Sequence, residues 1–412
     1  MTMKLILLWI LSLFIDDSII VALQRPIIIP RRMTLASNYL GFKLLNELNN
    51  NNHNNNMRSN DNEENDLVRK NILLSPLSIT ATLMMIYLAT KENSSDSLQL
   101  ESLLNLFNLN ENDGRRSEES IRKLLKKNPQ LKTNRILLAN QTLKMNLNFA
   151  TIIQEIFSTE IVLNQHRTDF SIVNGSTFIE NYPESYDAIT LFDRASFQAQ
   201  WLFQFDLANT RPSTFYGTNF VSYRNIPFMK LRAPVSIVPL DEIDAALIEL
   251  PFKSHSLKDQ NYAMYLILPA RINDDLSLIR RALNPWYLES MIRRLNVYGK
   301  ILIELPTFGI EAEYSLRETL NKMGITDIFK KKNKNLSVID YGEDIFLTDI
   351  IHKVQMEVSE NGIGSVEAIK LRKKKRNLYD ETTALSFDHP FLYIVRNTKT
   401  GAILLIGEIH GF

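Results

Sequence analysis

The sequence predicts an α+β fold in one large domain. Three observations carry this. Helix-spaced apolar segments crowd the first third of the chain, while short apolar runs ended by proline dominate the second half. Helices early and antiparallel strands late are the pattern of helices segregated against sheets. No internal repeat and no clean linker follows residue 66, so the 412 residues do not divide further.

Taken in order, the chain opens with Lys4 and an apolar run over residues 5–15. A basic start before some 7–15 apolar residues is the pattern of a secretory signal. Asp16 and Asp17 end the run well short of the roughly 20 residues a spanning helix needs. Ala22 is the small residue at which residues 1–22 would be cut away. Residues 34–48 space Leu40, Leu44, Leu45 and Leu48 along one helical face. Then comes NNNNHNNN over residues 49–56 and a polar stretch to residue 65, read as a solvated insertion outside any core. Residues 23–66 therefore comprise a helix and an Asn-rich insertion, and residues 67–412 the rest of the domain.

Pro76 stands where a helix can begin, and the apolar run behind it predicts a buried helix. Residues 96–107 and 117–126 also read as helical. The segments AALIELP (245–251), YAMYLILP (262–269) and ILIELP (301–306) read as strands. Residues 314–323 have helical spacing, capped by Gly324. Residues 391–395 and 402–406 flank NTKTG, a hairpin turn ending in glycine.

Composition excludes more than it proposes. The chain is 45% hydrophobic and 23% charged, with a net charge of +1. Such neutrality argues against bulk binding of nucleic acid. With no cysteine there is no disulfide framework, thiol nucleophile or Cys-based metal centre. No Gly-rich phosphate cradle, HExxH or GxSxG occurs. The six histidines, His53, His166, His255, His352, His389 and His410, have no metal-ligand spacing. No enzyme, cofactor, metal or membrane span is expected. Asn93, Asn140, Asn174 and Asn335 head N-x-[ST] triplets, which would be glycosylated in a secreted protein.

Six separated segments then resemble one family, the serpins. NILLSPLSI (71–79) resembles the segment leading into that family's long buried helix, and ESLLNLFNLN (101–110) the helix after it. Residues 250–252 with 264–269 resemble two central strands. LPTFGIEAEYSLRETLNKMGITDIF (305–329) matches in order and spacing. HKVQMEVSENG (352–362) resembles the strand entering the exposed reactive loop, and HPFLYIVRNTKTGAILLIGEI (389–409) the C-terminal signature. The resemblance implies three sheets, eight or nine helices, one exposed loop near residues 360–386, and a monomer. It also implies a suicide mechanism. A serine protease attacks a loop bond, and the freed loop inserts as a new strand and drags the acyl-enzyme with it. The catalytic groups would then belong to the partner.

Family spacing counted from Glu360 puts the scissile bond between Arg376 and Asn377. It follows the basic run Arg372, Lys373, Lys374, Lys375. Such a bait suits a protease preferring Lys or Arg, whether trypsin-like or a proprotein convertase with several carboxylates in its cleft. Cutting between Lys375 and Arg376 is the alternative. The loop run and the lysines of residues 330–334 also suit a polyanion such as a glycosaminoglycan.

The resemblance also has departures. The hinge reads Glu360, Asn361, Gly362, Ile363, Gly364, Ser365, Val366, Glu367. With a strand period of two, Ile363, Ser365 and Glu367 share the face that insertion would bury. Glu367 would lie there as an unpaired carboxylate, at a cost of about several kcal/mol. Ile363 is bulkier than the family's usual residue, and Gly364 adds backbone freedom to lose. Only residues 171–200 separate Phe170 from Trp201, so much of the helix that crosses the main sheet is missing. Asp193 stands where the family has asparagine, in a polar cluster under the sheet with Ser75, Ser78 and His352. An Asp193–His352 pair would be charge-assisted and pH-sensitive. Two readings stay open: a secreted inhibitor with a basic bait, and a non-inhibitory secreted carrier or decoy substrate.

Overall fold

The computed structural model describes residues 32–58, 69–104, 113–140, 143–164, 188–218, 221–254, 262–272, 275–331, 334–336, 339, 345–364 and 384–412. Its first helix, α1 (Arg32–Arg58), buries Leu40, Leu44, Leu45 and Leu48 as their spacing predicts. It does not stop at Leu48. The helix runs on through the asparagine run, and Asn49 is buried, donating from Nδ2 to Glu408 Oε2 at 2.7 Å. Composition placed residue 49 outside the core; a tertiary partner overrides that weak local preference.

Strand β1 (Ile72–Leu74) leads into α2 (Pro76–Ala89), which carries Pro at its start. Almost every α2 residue is buried, as an all-round apolar helix requires. Then follow α3 (Ser95–Leu103), with Ser94 accepting from the Ser97 N–H at its N-cap, and α4 (Asp113–Lys126). Strand β2 (Leu131–Asn140) precedes α5 (Leu147–Phe157) and β3 (Thr159–Asn164). The chain continues through β4 (Ala188–Phe197), β5 (Ala199–Gln200), β6 (Arg211–Tyr216), β7 (Ser222–Leu240), β8 (Ala245–Pro251) and β9 (Tyr262–Pro269). Helices α6 (Ser277–Ala282) and α7 (Pro285–Arg294) lie before β10 (Asn296–Pro306) and β11 (Phe308–Ser315).

Helix α8 (Arg317–Lys322) is shorter than its apolar spacing predicts. Tyr314 and Ser315 close β11 instead, because they pair with His352 and Ile351. Gly324, at φ +92°, ends the turn after α8. The last strands are β12 (Phe346–Ser359), β13 (Gly362–Ile363), β14 (Ala384–Ser386), β15 (Phe391–Asn397) and β16 (Ile403–Ile409).

These strands form two hydrogen-bonded sheets. One runs β3-β2-β4-β12-β13-β5, with β11 also on β12. The other runs β1-β16-β15-β9-β8-β7-β10-β14, with β6 on β7. The second is two smaller sheets fused along the long β7. Its first part pairs with β6 and its last part with β8, and β10 runs beside both. The three-sheet expectation is met in that form. Strands β9, β15 and β16 are buried throughout, and β8 at every position but Ala246, so they read as continuous apolar runs rather than alternating ones.

The two ends of the domain are sewn together. β1 pairs with β16. Asn38 on α1 donates to the Gly401 carbonyl at 2.8 Å and accepts from the Ile403 N–H at 2.9 Å. Fully buried Glu408 accepts from Arg280 Nη1 at 2.9 and 3.1 Å, as well as from Asn49, and His410 Nε2 lies 2.9 Å away. A buried carboxylate needs such a complete shell of partners. Among the described residues no helix is long and apolar enough to cross a membrane, and no group of acidic or histidine side chains could hold a metal.

Candidate functional site

The central seam of the seven-stranded sheet is the parallel pair β4–β12, whose register sets Asp193 opposite His352. Both side chains are buried, and His352 Nδ1 lies 2.8 Å from Asp193 Oδ2. Beneath them sits the start of α2. Ser75 is the N-cap of α2, so its N–H has no partner within the helix, and it donates to His352 Nε2 at 3.2 Å. Ser78, one turn on, donates from Oγ to Asp193 Oδ1 at 2.6 Å. A helix N-terminus favours an anion. The structure thus brings Ser78, Asp193 and His352 together. Ser75 joins through its backbone, and its hydroxyl has no hydrogen bond among the described residues.

One member was missed by sequence reasoning. Arg135 on β2 is buried, and its Nε lies 3.2 Å from Asp193 Oδ1. Its guanidinium also donates to Thr82 Oγ1, to the Phe157 carbonyl, and to both oxygens of Ser78. Its signal was a cation directly before the apolar run 136–139 of a strand-like segment. Burial alone would raise the Asp193 carboxyl, but the Arg135 charge and the His352 and Ser78 hydrogen bonds hold it below the ordinary carboxylate value. Burial pulls the Arg135 guanidinium down, and the Asp193 charge opposes this.

The hydrogen bonds also fix the tautomer. His352 Nε2 accepts from a backbone N–H, so Nδ1 carries the proton and donates to Asp193. The charge that pairs with Asp193 is therefore the guanidinium of Arg135. Protonating His352 would set a second donor against the Ser75 N–H.

At one end of the seam the chain folds back. Ser359 and Gly362 pair across the two-residue turn Glu360–Asn361, and Val358 pairs with Ile363. On its other edge β13 pairs with Ala199 and Gln200 of β5. Trp201 anchors this turn: its Nε1 donates to the Ser359 carbonyl at 2.8 Å and its N–H to the Asn361 carbonyl at 3.0 Å. The indole stacks on Phe252 with centroids 4.7 Å apart. The Phe205 N–H donates to the Glu360 carbonyl, and Thr210 Oγ1 donates to Glu360 Oε1 at 2.6 Å.

Both hinge glycines are required here, not merely tolerated. A Cβ on Gly362, at φ +148°, would lie 2.0 Å from the Ala199 carbonyl oxygen. Gly364, at φ +90°, returns its N–H to the Glu357 carbonyl at 2.8 Å. Ile363 is fully buried between the flanking strands, so its bulk fills space rather than obstructing the seat. The far side of the expected loop is held where β14 pairs in parallel with β10. Ser365, Glu367, Arg372, Lys373, Lys374, Lys375, Arg376 and Asn377 lie between these anchors, outside the described residues, as do residues 165–187.

Of the sequon asparagines, Asn93 is exposed in a turn at φ +56° and Asn335 is half-buried. Asn140 ends β2, and Asn174 lies outside the described residues, with the signal-like residues 1–22. Lys330 and Lys331 are exposed, with Lys330 paired to Asp327.

On the opposite face of the sheet from the Asp193 cluster, Glu313 stands beside Lys353 in register. Burial pushes its carboxyl up to about 7, against the opposing charges of Lys353 and Arg194. Such a group is destabilising once ionised, so stability should fall as pH rises from about 4.5 towards 7. Glu313→Gln should flatten that fall. Thermal midpoints of both proteins at pH 5 and 7.5 check it; parallel pH profiles would contradict it.

Comparison with known proteins agrees with this architecture. The family model "Serpin (serine protease inhibitor)" matches residues 35–411. Intracellular coagulation inhibitor 1 of Tachypleus tridentatus is 26% identical, over 92% of this chain and 88% of its own length. Among solved structures, mouse protein-Z dependent protease inhibitor superposes with a TM-score of 0.75 at 18% identity, over 96% of this chain and 100% of that one. Thyroxine-binding globulin in complex with thyroxine also gives 0.75, at 19% identity, over 92% and 99%. A family model spanning nearly the whole described domain decides the matter: this chain belongs to the serpin family.

Proposed function

We propose that this serpin is secreted and inhibits serine proteases that cleave after lysine or arginine, using residues 372–376 as bait. Serpins as a family are protease inhibitors rather than catalysts. The observation that carries the reading is the seat of the hinge. Gly362 and Ile363 are already hydrogen-bonded between β12 and β5, with Ile363 buried. Continued insertion would extend that strand down the β4–β12 seam, exchanging solvated backbone groups for ladder hydrogen bonds. In this reading Arg376 occupies the specificity pocket of the protease, and cleavage follows at Arg376–Asn377 or one residue earlier. The lysines of the loop and of residues 330–334 would draw a polyanion such as a glycosaminoglycan to the same molecule.

A second reading is favoured by Glu367, which would follow Ile363 and Ser365 onto the buried face. If its charge halts insertion, the chain is a decoy substrate or a carrier; thyroxine-binding globulin, which shares the fold, is in complex with thyroxine. The two readings separate on one gel. The purified chain is mixed with trypsin, and in parallel with a proprotein convertase. The inhibitor reading expects an SDS-stable adduct of summed mass. Complete cleavage near Arg376 with no adduct overturns it in favour of the decoy. Glu367→Ala should raise the adduct-to-cleaved ratio by about tenfold or more, since relief of a buried unpaired charge is worth more than about 1.4 kcal/mol.

A further inference from the structure

Strand alternation gives the seven-stranded sheet two unlike faces. Asp193, Ala195, His352 and Val354 are buried on one, while Arg194, Ser196, Lys353 and Gln355 face outward. On this outer face the register sets Arg194 of β4 directly opposite Lys353 of β12. Two like charges set opposite each other are mutually destabilising. Lys353 is paired with Glu311 at 2.5 Å. Arg194, although half-buried, makes no hydrogen bond or ion pair among the described residues, and neither does Lys132 on β2. Lys132 stands opposite Ser196, and Asn134 opposite Arg194. These six side chains line a cleft of about 370 Å³. The acidic groups of this face include Glu311, paired with Lys353, Glu313, whose carboxyl is pushed up to about 7, and the exposed Glu357 and Glu160; of these only Glu311 lines the cleft.

We propose that this cleft binds a small tetrahedral oxyanion of the phosphate or sulfate kind, held by Arg194, Lys353 and Lys132. The guanidinium offers two parallel N–H donors to such an anion, and the ammonium groups add point charges. Asn134 Nδ2 and the Ser196 hydroxyl complete a donor set on strands β2 and β4. An anion seated between Arg194 and Lys353 turns their repulsion into a bridge across the β4–β12 seam. Occupancy would therefore hold closed the seam that loop insertion must open. That last consequence rests on the inhibitor reading; the binding itself does not.

Calorimetric titration and thermal unfolding of the full chain test the binding without any protease. Sodium phosphate is compared with sodium chloride at matched ionic strength, and a sulfated oligosaccharide forms a second arm. A ligand that binds only the folded chain raises its thermal midpoint as concentration rises. The expected result is a saturable rise with phosphate beyond the chloride control. In Arg194→Gln and in Lys132→Gln, phosphate binding should be about tenfold weaker or more, the worth of one charge-assisted hydrogen bond. Without anion, Arg194→Gln should unfold no earlier than the parent, because it removes a repulsion. If only the oligosaccharide acts, and its effect is lost in Arg194→Gln, the site takes a sulfate ester rather than a free anion. No rise with either ligand overturns the proposal. So does a rise that both variants keep at full affinity.

Discussion

Arg135→Met is expected to destabilise the chain by about 3–5 kcal/mol at neutral pH, the usual cost of removing one partner from a buried ion pair. The substitution leaves Asp193 buried, with only Ser78 and His352 to compensate its charge. It also leaves the Phe157 carbonyl without its guanidinium donor. Adding Asp193→Asn should recover most of the loss, because a neutral amide needs no counter-charge. Denaturant midpoints of the two single variants and the double variant make the cycle. A single variant within about 1 kcal/mol of the parent would show that the pair contributes little. The pH dependence has a definite sign. Asp193 is held below its ordinary carboxylate value, so its contribution is complete above about pH 4 and disappears only as pH falls through that lowered value. Asp193 therefore adds no slope of its own to stability between pH 5 and 8.

Gly362→Ala should unseat the hinge. The new Cβ would meet the Ala199 carbonyl oxygen at 2.0 Å, and φ +148° is a conformation L-residues avoid. Since the collision is with backbone, a rotamer change cannot relieve it. Loss of β13 exposes Ile363, whose burial is worth about 1.5–3 kcal/mol. Cleavage of a transiently opened segment follows its open population. A protease specific for aliphatic residues should therefore cut at Ile363 faster by on the order of tenfold or more. Gly309→Ala on neighbouring β11, where a Cβ meets nothing within 4 Å, is the control. Equal cutting of all three proteins would show that the seat does not depend on glycine.

The fold was largely legible because its strongest signals are local. The α2 helix announces itself by Pro76 and a long apolar run, and the β8, β9, β15 and β16 strands by buried apolar stretches of strand length. What escaped was decided by distant partners. The Asn-rich stretch looks solvated, yet Asn49 is drawn into α1 by Glu408 on the far end of the chain. Tyr314 and Ser315 have helical spacing but are claimed by β12. At the site, Asp193 and His352 were visible through the family's pattern, but Arg135 was not. A lone arginine on a strand reads as a solvated charge, and only the stacking of β2, β4 and α2 reveals that it faces inward. The hinge shows the same limit from the other side. Gly364 reads as backbone freedom to lose and Ile363 as bulk on the inserting face; periodicity says which face a residue takes but not that Ile363 is buried and Gly364 bonded to Glu357 before any insertion.

The sewing of α1 to β16 also has a consequence for synthesis. Asn38 and Asn49 bond to partners 359–365 residues further along, and β1 waits for residues 406–408 to form its ladder. At about 5–20 residues per second, the first helix emerges from the ribosome on the order of half a minute before its partners exist. Folding from the N-terminus cannot close this core until residues 401–408 have left the ribosome. Loss of the last dozen residues should therefore leave a long-lived, aggregation-prone nascent species rather than a slightly shorter serpin.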